Sequence, residues 1–291
     1  MDPLAPPAAR VTREHLRAYA RDLQSTVGSF TVAARIQQVG NAMRAMAPDM
    51  NWHWIQRAAD RLRAQAVPVR DKRARLQSPE RLAAFGVALM TQADDPVTDP
   101  PAVRAAAFRD GLMIALLAYR PMRGRNLASI LCDQHLVRRG AVWWLAFPAA
   151  ETKTRQALEF PFPANLVPGL HRYLEQYRPL LLARGRRPIT PMTALWVSKQ
   201  GTHMGYAAIG HQVRQRTAAV FGTSLSPHLF RDCAATEIAI SAPEDVQIIK
   251  PILGHATLAS SERHYNLAGS LEAGRRYGHT IDTLRQLRPK P

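Results

Sequence analysis

The chain has 291 residues, 46% of them hydrophobic, and carries a formal charge of +17 from 39 Lys and Arg against 22 Asp and Glu. That length and apolar share give a folded protein with room for two domains and exclude a wholly disordered one. The charge excess points to a polyanionic partner, nucleic acid first, and no basic block flanks an anchoring apolar segment, which argues against a membrane surface.

Residues 1–9 are rich in Pro and Ala, are expected to be disordered, and lack the apolar core of a signal peptide. Over 10–66 three helical stripes follow: Val11, Leu16, Tyr19, Ala20 and Leu23, then Val32, Ile36, Val39, Met43 and Met46, then Trp54, Ile55, Ala58, Ala59 and Leu62. Arg17, Arg21, Arg35, Arg44, Arg57, Arg61 and Arg63 lie opposite these stripes. Up to Leu76 there are 13 basic and 6 acidic residues. A small helical domain that clamps DNA accounts for this balance, with Arg35, Arg44, Arg57 and Arg61 as candidate contacts. The plain alternative is a helical bundle with solvated arginines. Residues 67–77 read as a basic linker whose Arg70, Lys72 and Arg73 can lie along a phosphate backbone.

Ser78-Pro79-Glu80 has the form of an N-cap, first-turn proline and first-turn acid, and Asp99-Pro100 repeats it for a long helix ending at Tyr119. The apolar positions of that second helix wrap most of its circumference near the C-terminus, so this end is expected at the centre of a core. Met122-Arg123-Gly124-Arg125-Asn126-Leu127 follows. Val142 to Phe147 and Leu158-Glu159-Phe160 read as strands separated by a loop carrying Lys153. The chain has 34 arginines and only 5 lysines, so a lysine here is an unusual choice. A lysine can give up a proton where an arginine stays charged, as a general acid requires. Lys199, in a Ser-Lys-Gln-Gly turn, is the rival. Pro163 to about Arg184 and Gly205 to Val220 are further helices. Cys132 and Cys233 lie far apart within expected helices and form neither a disulfide framework nor a CxxC knuckle, which fits a reducing cytosol.

The stretch from Ser226 to Tyr265 concentrates the chemistry. His228 and Arg231 are spaced to share one face of a helix that follows Pro227. An imidazole beside a guanidinium makes a clamp for a phosphoryl oxygen, and a tyrosine hydroxyl such as that of Tyr265 can act as a covalent nucleophile. Leu253-Gly254-His255 stands between them. Tyr277 is the second choice for the nucleophile. A zinc site built from His228, Cys233, His255 and His264 fits no closed-site spacing, and neither a metal nor another cofactor is expected.

His228-Leu229-Phe230-Arg231, Leu253-Gly254-His255 and Tyr265, preceded by Arg123 after a long apolar helix and by Lys153 on a hairpin, resemble the tyrosine recombinase (phage integrase) family. The resemblance runs from about Ser78 to the C-terminus. It implies a mainly α fold with a small antiparallel β-sheet: a helical N-terminal core-binding domain (10–66), an α+β catalytic domain (78–269), and a C-terminal helix or tail (270–291) exchanged between protomers. The sequence departs from the family in having Pro121-Met122 before Arg123, and Asn126 where an acid is usual. Arg125 therefore competes with Arg123 for the role of first arginine.

The resemblance further implies that Tyr265 attacks a DNA phosphate surrounded by Arg123, Arg231 and His228 or His255, while Lys153 protonates the leaving hydroxyl. The implied activity is site-specific strand exchange through a 3′-phosphotyrosyl intermediate. The implied partners are double-stranded recombination sites bound by a homotetramer on two duplexes, the free protein being a monomer or weak oligomer. The implied setting is the prokaryotic cytoplasm, in association with the nucleoid. Relaxation of supercoils in the manner of type IB topoisomerases, and DNA binding by an inactive relative, are the other two readings.

Overall fold

The computed structural model describes residues 6–67, 73–97, 99–185 and 193–241. Two compact units divide the chain, Met1–Ala74 and Arg75–Pro291.

In the first unit the helices are α1 (Pro7–Arg10), α2 (Arg13–Thr26), α3 (Ser29–Met46) and α4 (His53–Ala64). The Thr12 side chain accepts from the His15 backbone N–H at 3.2 Å and so caps α2. Leu16, Ile36, Met43, Trp52, Ile55 and Ala59 interlock as the core. Each large aliphatic side chain buried this way contributes about 1.5–3 kcal/mol. At Gly40 a Cβ would lie 3.2 Å from the Ile55 side chain, so α3 and α4 approach closely there. Trp52 closes the turn between them by donating from its indole to the Ala47 carbonyl at 2.8 Å. Disorder is expected of residues 1–9, yet the last three of them open α1, whose Ala8 packs on this core. Arg35, Arg44, Arg57 and Arg61 are all exposed, as amphipathic patterning requires.

A 3-10 turn, Arg73–Arg75, ends on the first residue of the second unit, where the Arg75 guanidinium donates to the Ser224 carbonyl. Helices α5 (Pro79–Asp94) and α6 (Pro101–Tyr119) pack along their length. They cross at two glycines. A Cβ at Gly86 would stand 2.7 Å from the Gly111 carbonyl oxygen, and one at Gly111 would stand 2.6 Å from that of Gly86. Leu112 to Leu117 of α6 are fully buried, the central core position expected of them. Ser78 makes no side-chain cap, and α6 starts after Pro100 without one, so the prolines alone set both starts.

After α7 (Gly124–Ala128) the chain turns to β1 (Leu136–Arg139), β2 (Val142–Phe147) and β3 (Leu158–Pro161), an antiparallel sheet in the order β1-β2-β3. Leu145 pairs with Leu136 on one side and Phe160 on the other. The buried Leu136, Leu145 and Phe147 join the same core as α6. Cys132 lies outside any helix, next to an isolated bridge between Leu131 and Ala194. The expected helix after Pro163 consists of α8 (Val167–Arg172), a π-turn (Tyr173–Tyr177) and α9 (Arg178–Leu182). Then come α10 (Tyr206–Phe221) and α11 (Pro227–Ser241). Gly222 ends α10 at φ +67°, a left-handed conformation that glycine adopts without strain. The fold is mainly helical with one small antiparallel sheet. No described helix is long and apolar enough to cross a membrane.

Candidate active site

The site grows out of the turn that ends α6. Arg120 terminates the helix, and its guanidinium carbon sits 5.5 Å from the centroid of the Phe160 ring on β3. Met122 is buried and pins the turn, so that Arg123 caps α7 with its backbone extended and its side chain half-buried. Arg125, one residue past Gly124, is exposed.

Helix α11 comes against this turn through its first residues. A Cβ at Gly124 would stand 2.6 Å from the Tyr206 ring of α10 and 3.3 Å from Pro227, the first residue of α11. Leu229 and Phe230 lock α11 into the main core. Arg231 is carried inside with them, 4% exposed, and donates from Nη1 to the Pro121 carbonyl at 2.7 Å. That bond ties the second arginine to the backbone two residues before the first.

The electrostatics centre on one buried cation with a second close by. Burial and then the neighbouring Arg123 charge push the Arg231 guanidinium down to about 10, with Asp232 pulling the other way. At neutral pH Arg231 stays charged, so the fold sustains a buried cation that its burial and its neighbour both disfavour. His228, one turn earlier on α11, is exposed. Cys233, two residues beyond Arg231 on α11, is buried, accepts from the Gln77 N–H at 3.4 Å, and is pushed up to about 11, chiefly by burial. Asn126 is also buried, and its side-chain N–H group has no hydrogen-bond partner among the described residues.

Lys153 is exposed on the loop between β2 and β3. The loop is closed at its base by Thr152, whose hydroxyl donates to the Gln156 carbonyl at 2.7 Å and accepts from the Gln156 N–H at 3.1 Å. Arg155 turns the chain there at φ +51°. Glu151 reaches from the same loop to buried His135, with 2.7 Å between Oε2 and Nε2. Lys199 is exposed at the end of a different turn, closed by Ser198 and Thr202.

The structure thus brings Arg123 and Arg231 together and sets His228 on the same helix as Arg231. His255 and Tyr265 lie outside the described residues, as do the alternative tyrosine Tyr277, His264, Arg70 and Lys72. The Arg73 side chain is likewise outside them. Three participants had no signal in the sequence: the Pro121 carbonyl, the Gly124 contact with Tyr206, and the His135–Glu151 pair. No cluster of His, Cys, Asp and Glu suited to a metal occurs among the described residues.

No protein-family profile matches the chain. Among curated proteins it is 26% identical to the tyrosine recombinase XerD of Pseudomonas aeruginosa over 55% of its own length and 50% of that protein. It is 27% identical to the tyrosine recombinase XerC of Mycobacterium leprae over 56% of its length and 52% of that protein. The chain therefore spans about half the length of the curated relatives it matches. Among solved structures it superposes on the XerH site-specific recombinase bound to palindromic difH substrate, in a post-cleavage complex. That match has a TM-score of 0.61 at 14% identity and covers 92% of this chain and 72% of the other, which shows a shared fold.

Proposed function

We propose that this member of the tyrosine recombinase family cuts and rejoins DNA at specific sites through a covalent tyrosyl intermediate. The observation that carries the reading is the buried Arg231 guanidinium, bonded to the Pro121 carbonyl and facing the charge of Arg123. The Arg231 charge, which burial and the neighbouring Arg123 both disfavour, is favoured by an incoming anion, and a backbone phosphate is the anion that the chain's +17 charge would attract. Arg123 takes the role of first arginine because its charge acts on Arg231, whereas Arg125 is exposed.

In this mechanism the Tyr265 oxygen attacks the scissile phosphorus. A new P–O bond to tyrosine forms as the bond to the 5′-oxygen breaks. His228 or His255 assists proton transfer at the phenol, and Lys153 delivers a proton to the departing 5′-oxygen. Arg123 and Arg231 hold the non-bridging oxygens as charge builds on them. A free 5′-hydroxyl then attacks the phosphotyrosine in reverse. One phosphodiester is exchanged for another, so no energy-rich cofactor enters the balance.

The residues of 10–66 form a helical DNA-clamping domain, with Arg35, Arg44, Arg57 and Arg61 on phosphates, continued by Arg70, Lys72 and Arg73. Four protomers on two duplexes constitute the active assembly, with the 270–291 tail passing between neighbours. The work takes place at the nucleoid in the cytoplasm.

A duplex nicked beside the cleavage position traps the covalent complex, because the released fragment diffuses away. Wild-type protein should form an adduct that resists denaturant, and Tyr265→Phe should form none. An undiminished adduct in that variant would move the nucleophile to Tyr277 or elsewhere. Relaxation of supercoils without pairing of two sites would turn the reading toward a topoisomerase.

A further inference from the structure

The loop at 148–157 that joins β2 to β3 has to present Lys153 to solvent while holding its backbone still. A hairpin tip of this length, tied only by its own strands, samples many arrangements, and a proton donor misplaced by even an ångström loses much of its effect. We infer that the buried His135–Glu151 pair is a positioning device for Lys153, fixing the root of its loop so that the ammonium is aimed at the leaving oxygen. The inference rests on the reading of Lys153 as general acid given above.

The geometry is specific. His135 precedes the first residue of β1, is 2% exposed, and stacks on Phe147, the last residue of β2, with ring centroids 5.2 Å apart. Its Nδ1 lies 3.1 Å from the Leu131 backbone nitrogen, which can only donate. Nδ1 must therefore be bare, and the ring proton sits on Nε2. That proton points at Glu151 Oε2, 2.7 Å away. The imidazole is thus a one-way link from the Leu131 backbone, outside the loop, to a carboxylate two residues before Lys153. Immediately before the lysine the Thr152 hydroxyl, itself buried, reaches across to the far side and is bonded to both the N–H and the carbonyl of Gln156. The chain on each side of Lys153 is held, and the lysine side chain alone projects.

A purely structural reading would treat His135 as a core histidine with a satisfied ring. Two facts favour positioning. The Leu131 bond and the Phe147 stack already place the ring, and the second bond goes to a side chain that is 37% exposed, in the loop and not in the core. Because the ring donates, the partner needs only an acceptor oxygen. Glutamine at 151 keeps one and alanine does not.

The test compares two nicked duplexes that differ at one atom: the bridging 5′-oxygen, or sulfur in its place. A thiolate leaves without a proton, so the sulfur substrate bypasses the general acid. Glu151→Ala should slow cleavage of the oxygen substrate about 10- to 100-fold, part of the 10²–10⁴ that an aimed proton donor supplies. The same variant should cleave the sulfur substrate at close to the wild-type rate. Glu151→Gln should behave like wild type on both.

Equal slowing of both substrates by Glu151→Ala, or slowing of neither, overturns the inference, and so does a Gln variant as impaired as Ala. His135→Ala should follow the alanine pattern wherever its thermal melt shows it folded; the Glu151 variants carry the test if it is not. Lys153→Ala, run alongside, separates the two levels. If sulfur fails to rescue it, the lysine is not the acid and the parent reading falls. If sulfur rescues it while Glu151→Ala has no defect, only the positioning role falls.

Discussion

The two arginines and the lysine serve one phosphate in the proposed mechanism, yet the protein holds them in opposite ways. Arg231 is buried on α11 and bonded across 110 residues to the turn at Pro121, so the arginine end is assembled by tertiary packing. Lys153 is exposed, and the bonds that surround it come from residues 131 to 156, a local hairpin. The contrast follows from the two tasks. Stabilising charge on phosphate oxygens works best in a dry, prearranged field, and the fold bears the desolvation to provide it. Releasing a proton calls for a group that can change charge, so it stays near water on a tied but mobile side chain.

The sharpest way to break this contrast is to substitute at the buried end. Arg231→Lys cannot both donate to Pro121 and present a fork to the phosphate, and covalent trapping should fall about 10²–10³-fold, as for loss of one transition-state donor. Retained trapping would mean that the guanidinium is scaffold only.

The second test titrates burial itself. Cys233 on α11 is raised from 9.0 to about 11, so the stability it contributes is complete below pH 9 and is lost as pH rises from 9 toward 11. Arg231 is lowered from the ordinary arginine range to about 10, so its opposing contribution recovers only as pH rises above about 10. Chemical denaturation should therefore show a decline of about 1 kcal/mol between pH 9 and 10, before the arginine's opposing contribution sets in, that shrinks in Cys233→Ala. An unchanged slope would place the thiol in contact with water.

A smaller effect is expected at Gly124. Alanine there meets the Tyr206 ring, and the cost of repacking should be about 1 kcal/mol. In a Tyr206→Ala background the same change should become neutral or stabilising, because the clash is gone and alanine favours the helix. Additive melting data would show that α7 and α10 do not meet as described. Least in magnitude, pyrophosphate should raise the melting temperature of the wild-type protein by a few degrees, in the manner of any ligand that binds only the folded state. Arg123→Met should lose that increment while Lys153→Ala keeps it. Equal loss in both would merge the two ends into a single anion site.

Much of the framework is legible in the sequence where a signal is local. The alternation and aromatic run at Val142–Phe147 defines β2, and Pro101–Tyr119 is marked by its prolines and by its uniformly apolar end. Signals that depend on distant partners are not. Cys132 sits in a helical-looking stretch, but its neighbour Leu131 bridges to Ala194. The π-turn at Tyr173–Tyr177 interrupts an otherwise regular pattern because the Tyr173 and Tyr177 hydroxyls reach the carbonyls of Leu195 and Ala93. At the site, the order of the charged residues is legible and the means of holding them is not. A backbone carbonyl at 121, a missing Cβ at 124 and an imidazole tautomer at 135 leave no periodicity to read.

Arg120 stacks on Phe160, so the bend leading into the first arginine is fastened to the strand leaving the lysine loop. A protein engineer transplanting this hairpin, or fitting a foreign one in its place, therefore has to bring an aromatic at 160 along. Without it, a graft that looks confined to one corner would loosen the cation at the opposite side of the reaction.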